Sequence, residues 1–158
     1  MEDWFEPILR LAAATVAGAI VGINRDLYGK PTGVRLHALV TIGSALLVML
    51  PAAYDPNSQD PAAASRIIQG IVGGIGFLGA GVILRATTGE RVYHITTAAT
   101  IWVTAALGIA CGLGAWRLAL LAAVLVLLVL TGGLALDRRL HRRSTTDDLD
   151  EAASRPEP

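Results

Sequence analysis

The stretch that decides the fold is Arg66–Leu84, RIIQGIVGGIGFLGAGVIL. Eighteen residues, Ile67–Leu84, carry no charge. As a helix they rise about 27 Å, close to the thickness of one bilayer core. Six of the eighteen are glycine. In water each interior glycine costs a helix about 1 kcal/mol against alanine. In a membrane the backbone has to satisfy itself, and glycine lets neighbouring backbones approach. At 100° per residue, Gly70, Gly73, Gly74 and Gly81 share a face interrupted by Phe77. Ile67, Ile68, Ile71, Ile75, Leu78 and Val82 share another, and Gly76 and Gly79 lie away from both. The pattern predicts a packed central helix with a partner on each thin side. The plain alternative is an apolar span whose glycines are incidental.

Gly74, Gly76 and Gly79 also match G-x-G-x-x-G. That fingerprint needs a preceding strand, an αβ unit and an acidic residue about 20 positions on. Here the flanks are apolar for a membrane length and Glu90 comes early in a short polar loop. A dinucleotide site is rejected.

The rest of the chain repeats the pattern. Of 158 residues, 53% are hydrophobic and 16% charged, and the charges cluster between long uncharged runs. This predicts an all-α, polytopic membrane protein. About five spans are expected, near residues 7–24, 35–50, 66–84, 95–113 and 117–136. The transmembrane domain is then 1–143 and the tail 144–158 is polar, disordered and cytoplasmic. The acidic start, MEDWFEPILR, does not read as a cleaved leader. Zero formal net charge gives no sign of nucleic acid, and the single Cys111 reads as a small packing residue. The sparse Cys and His argue against zinc, so no cofactor and no metal is expected.

Ala14, Gly18 and Gly22 form a small-xxx-small series, read as the mate of the central glycine face. Pro31 and Gly33 turn the first loop, Pro51 is expected to end the second span, and Pro61 to start the third with Asp60 as its cap. His37 reads as a hydrogen-bonding residue, with a proton shuttle as the lesser alternative. Thr97, Thr100 and Thr104 share a face, with Thr96 beside them, and their hydroxyls either bond their own helix or serve a ligand. The last span, rich in leucine, shows no small face and is expected at the lipid-exposed rim.

Lys and Arg set the orientation. With the N-terminus outside, ten basic residues fall on the cytoplasmic side: Arg25, Lys30, Arg35, Arg85, Arg91, Arg138, Arg139, Arg142, Arg143 and Arg155. Three, Arg10, Arg66 and Arg117, fall outside.

GAIVGINRD at Gly18–Asp26, KPTGVRLHALVTIGSAL at Lys30–Leu46, the central stretch, and ITTAATIWVTAALGIACGLG at Ile95–Gly114 together resemble the MgtC/SapB family of bacterial inner-membrane proteins. The resemblance covers about Leu9–Ala135. It implies a multi-span domain in a short form without the soluble C-terminal domain of some members. It further implies a link to magnesium limitation, acid stress or intracellular survival, and a role in virulence. One member is held to restrain the proton-driven ATP synthase by contact. The family usually has glutamate at the position of Asn24, Thr at that of Leu36 and Gly-Leu at that of His94-Ile95. It commonly has an Asp-Pro three residues before the arginine matching Arg66.

Two function classes follow. One is a small regulator that contacts membrane lipids, itself as a homo-oligomer, or a complex such as ATP synthase. The other is a small ion transporter or channel for magnesium or another cation. Coupled transport favours a charged group near mid-membrane, and the spans offer only Ser44, Gln69 and threonines. No span carries a carboxylate, which argues against an enzyme. The residues expected to carry function or packing are Asn24, Arg25, Asp26, Arg35, His37, Arg66, Gly70, Gly73, Gly74, Gly76, Gly79, Gly81, Thr96, Thr97 and Thr100. Among them Arg25 and Arg35 are expected to form one inner-surface pair, the plain alternative being simple positive-inside anchoring.

Overall fold

The computed structural model describes residues 4–54, 61–84 and 94–133. All regular structure among them is helical: α1 (Phe5–Leu27), α2 (Val34–Tyr54), α3 (Pro61–Leu84), α4 (Ile95–Gly112) and α5 (Trp116–Gly133). Each is long and apolar enough to cross a membrane. The tail 144–158, Asp60 and most of the third loop lie outside the described residues.

The helices run past the expected ends for local reasons. α1 continues through Asn24 and Arg25, the latter sitting favourably in the last turn against the helix dipole. Pro51 lies inside α2, which continues to Tyr54. This corrects the expectation that it ends the helix: in a membrane span, neighbouring groups and small backbone adjustments accommodate the lost amide. α3 begins at Pro61, where the missing N–H is harmless. Between α4 and α5, Gly114 adopts φ +87°. The Ala115 amide bonds the Ala110 carbonyl at 2.9 Å and the Gly114 amide bonds Cys111 at 3.0 Å. That is a Schellman turn, which needs a left-handed residue at Gly114.

α4, not α3, is the buried helix: 56% of its span is buried, against 11% of the α3 span. α4 touches α1, α2 and α3, while α3 touches only α4 and α2 among these four helices. Two apolar clusters result. In one, Ala13, Ala14, Ala17 and Val21 of α1 meet Leu107 and Cys111 of α4 and Ala119, Ala123 and Leu130 of α5. Ala119 and Ala123 are essentially inaccessible, so α5 does have a small face. This corrects the expectation of no small face; the alanines let α5 approach α1, while Leu118, Leu121, Leu125 and Leu128 stay exposed as a rim position requires. In the other cluster, Ile71 and Ile75 of α3 pack with Val48 of α2 and with Ile101, Ala105 and Ile109 of α4, flanked by Ile67, Ile68 and Val82.

α3 therefore turns its bulky face inward. A Cβ built on Gly70, Gly73, Gly74, Gly76 or Gly81 meets nothing within 4 Å; only Gly79 is packed, 3.5 Å from the Ala98 Cβ. Among the described residues the Gly70, Gly73, Gly74 and Gly81 face has no partner, and on the second thin strip only Gly79 has one, Ala98 of α4. The Ala14, Gly18, Gly22 series does not face α3 either. A Cβ on Gly18 would lie 2.7 Å from the His37 carbonyl oxygen and 2.9 Å from the Ala38 Cα, and one on Gly22 would strike Val34. Those glycines serve α2. The reason is volume: branched isoleucines fill the space between α3 and α4, whereas thin faces join α1, α2 and α4 backbone to backbone.

Candidate functional site

The side of α4 facing α1 and α2 carries the threonine stripe. α2 and α4 run in parallel in a fixed register. His37 meets Thr104, Gly108 sits on Thr41, and Gly112 sits on Ala45, each pair 67 residues apart. α1 runs antiparallel to α4, with Arg25 on Thr97 at one end and Arg10 on the Gly112 carbonyl at the other. Close backbones bury whatever lies between them. Here that is a seam of polar groups: Asn24, Arg25, His37, Thr41, Ser44, Thr97, Thr100 and Thr104.

The seam is hydrogen-bonded along most of its length. Thr104 Oγ1 donates to the Thr100 carbonyl at 2.7 Å, and Thr100 Oγ1 donates to the Thr97 carbonyl at 2.7 Å. Thr41 Oγ1 is shared between the carbonyls of His37 (3.1 Å) and Ala38 (2.9 Å). His37 Nδ1 lies 2.8 Å from Thr104 Oγ1. Thr104 has one hydroxyl hydrogen and uses it on its own helix. Its oxygen therefore accepts from the ring, Nδ1 carries the proton, and Nε2 of the neutral ring is an acceptor. Arg25 Nη2 donates to Thr97 Oγ1 at 2.7 Å. So the stripe is used both ways: Thr100 and Thr104 bond their own helix, and Thr97 and Thr104 receive groups from other helices.

The bonding is incomplete at several points of the seam and the adjoining loop: Asn24 Oδ1, Arg25 Nε, Thr32 Oγ1 and His37 Nε2 are buried without a partner among the described residues. Thr32 adopts φ +80°, a strained conformation for a β-branched residue. Beside it, Asp26 caps α2: its Oδ2 accepts the Val34 amide at 2.9 Å. A Cβ at Gly33 would overlap the Asp26 carboxylate, so a larger residue there has to turn that side chain away from the Val34 amide it caps.

Of the residues singled out in the sequence, Asn24, Arg25, His37, Thr97 and Thr100 come together here. Arg35 does not. It is exposed near the start of α2 while Arg25 is 3% exposed, so the two arginines differ in burial. A turn of about 100° per residue sends Arg35 outward two positions before the inward His37. Thr96 is exposed, as is Arg66 near the other end of α3, and the six α3 glycines lie outside the seam. Thr32, Thr41, Ser44, Gly108 and Gly112 complete the picture. Gly108 and Gly112 carry the same small-xxx-small spacing as Gly18 and Gly22, which is the signal that marks them.

The MgtC family description matches residues 11–139, across all five helices. The chain belongs to the MgtC family. Protein SrpB of Synechococcus elongatus is 44% identical, over 93% of this chain and 85% of that protein. Protein MgtC of Salmonella typhimurium is 42% identical over 78% of this chain and 50% of that protein. YhiD of Escherichia coli K12, named as a candidate magnesium transporter, is 39% identical over 79% of this chain and 59% of YhiD. The chain thus spans most of the cyanobacterial relative but about half of the enterobacterial ones. No solved structure matches it significantly. It is a multi-pass helical membrane protein of this family, and the seam is built from the helices that the family match covers.

Proposed function

We propose that this MgtC-family protein is a small inner-membrane regulator, acting in magnesium limitation, acid stress or intracellular survival by docking against a membrane partner such as the proton-driven ATP synthase. The observation that carries this reading is the open face of α3. Five glycines there have nothing within 4 Å of a would-be Cβ. Lipid has no use for a glycine face, whereas a neighbouring helix can approach it closely. The partner is another membrane protein or a second copy of this chain.

The rival reading is magnesium transport, as the name of YhiD suggests for that protein. Magnesium calls for several oxygen ligands in near-octahedral array. The carboxylates among the described residues are Glu6 and Asp26, at opposite ends of α1. Purified protein in liposomes is expected to pass no magnesium, and to co-purify with a membrane complex from native membranes. Gly73→Leu should leave folded yield unchanged and reduce the recovered partner by about tenfold or more, a loss of about 1.4 kcal/mol. Magnesium flux in the absence of other proteins would replace this reading with the rival.

The proposed orientation has the N-terminus outside and the C-terminus cytoplasmic, resting on ten basic residues against three. Reporter fusions at Tyr54 and Gly114 are expected to read outside, and those at Gly89 and in the tail inside. A reversal at any of the four sites overturns it.

A further inference from the structure

A cavity of about 680 Å³ lies at the end of the bundle where α1 begins and α2 and α4 end. Small-molecule pockets occupy about 300–1,000 Å³ and are commonly found between helices of bundles. Among the described residues its walls are the first turns of α1, the last turns of α2 between Leu46 and Ala53, Ala64 of α3, and Leu113 just after α4. The α2 wall runs about 10 Å along the helix axis. Trp4, Leu46, Leu50 and Leu113 are exposed and carry the apolar lining out to the surface. The helices around it are of membrane length, so the medium that reaches this surface is lipid. Trp4 at the start of α1, and Arg117 stacked 5.0 Å from the Trp116 ring at the start of α5, are residues that favour the headgroup level.

The charged side chains in this lining are Glu6 and Arg10, and they give the cavity both signs of charge. Arg10 Nε donates to Glu6 Oε1 at 2.9 Å, and Arg10 Nη1 donates to the Gly112 carbonyl at 2.9 Å. These bonds spend two of the five guanidinium N–H donors and one carboxylate oxygen. Both side chains stay partly exposed, 29% for Arg10 and 45% for Glu6. The pair can therefore take a further acceptor on the guanidinium and a further donor on the carboxylate. A lipid chain matches the apolar walls, and the pair then selects the head. An anionic head meets Arg10 and is opposed by Glu6. A quaternary ammonium has no N–H to give Glu6. A head that carries both a phosphate and a primary ammonium meets both residues with charge-assisted hydrogen bonds.

We propose that this cavity binds one molecule of phosphatidylethanolamine. Its phosphate accepts from Arg10, its ammonium donates to Glu6, and an acyl chain lies against the apolar wall of α2. The site does not use the α3 glycine face and stands or falls separately from it.

The test uses the full chain, purified in detergent and stripped of lipid. Native mass spectrometry follows the lipid retained as phosphatidylethanolamine, phosphatidylcholine or phosphatidylglycerol with the same acyl chains is added. The expected result is one retained phosphatidylethanolamine, held about tenfold or more tightly than either of the others. Glu6→Gln keeps the shape and removes the charge that holds the ammonium, and should cut that preference to about threefold or less. Ala53→Trp adds a large ring at an exposed position on the cavity wall and should lower retention of all three lipids. Equal retention of the three lipids overturns the proposal, as does no retention, or a preference for phosphatidylcholine or phosphatidylglycerol. A preference unchanged in Glu6→Gln, or retention undiminished in Ala53→Trp, overturns it as well. If neither variant folds, the lipid series on the parent chain decides.

Discussion

Gly108→Leu is expected to abolish recovery of folded protein, while Gly73→Leu is expected to fold like the parent. A Cβ on Gly108 alone would collide with the Thr41 carbonyl oxygen and come within 2.8 Å of the Ser44 Cβ and the Thr41 Cα. Most of these obstacles are backbone and cannot rotate away. Overpacking a core costs about 1–3 kcal/mol where side chains can yield, and more where they cannot. To admit a leucine, α2 would have to move off α4. That separates His37 from Thr104 and exposes the polar seam to lipid, where unsatisfied groups are costly. At Gly73 the same side chain enters open space. The measurement is monodisperse yield and melting in detergent. Equal loss at both sites would refute the placement of α4 at the centre and of the glycine face at the periphery.

The second large effect is expected at Ile101. It is fully buried and sits where Ile71 and Ile75 of α3 meet Val48 of α2. Ile101→Ala opens a cavity at the junction that holds α3 on the bundle. Large-to-small changes in cores cost about 2–5 kcal/mol. The lower end applies here, because lipid is as apolar as the core and only packing is lost. Phe77→Ala on the outer side of α3 is the control: Phe77 is 81% exposed and its loss should barely move the melting temperature. Ile101→Ala should also reduce partner recovery, because a loosened α3 no longer presents its glycine face in one orientation. Unchanged stability in Ile101→Ala would mean that α3 is held elsewhere.

These two expectations mark the boundary between what the chain states locally and what packing decides. Four uncharged runs of membrane length, and a shorter one between Arg10 and Arg25, dictated five helices, because a backbone in hydrocarbon has to bond itself. Periodicity also placed Ile67, Ile68, Ile71, Ile75, Leu78 and Val82 on one side of α3; all but Leu78, which is exposed, share one cluster. The turn at Gly114 and the start of α3 at Pro61 were likewise local, set by backbone freedom and by a missing amide. The hydrogen-bonding role of His37 and the shared face of Thr97, Thr100 and Thr104 could be read from the sequence, but the burial of His37 and the partners of all four could not.

Which face of α3 looks inward was a tertiary decision. In water an apolar face goes inside; in lipid both faces are apolar, and the choice rests on whether bulk or thinness fits the neighbouring helix. Isoleucine fitted α4, so the glycines were left outside. The same competition sent Gly18 and Gly22 to α2 and made α4 the centre. Arg25 and Arg35 looked alike in sequence, as basic residues flanking one short loop. Only the antiparallel crossing of α1 on α4 laid Arg25 against Thr97 and turned it into a buried cation, while the rotation of α2 left Arg35 exposed. Spacing along a chain specifies angles around a single helix axis; burial of a charge depends on which other axis lies beside it.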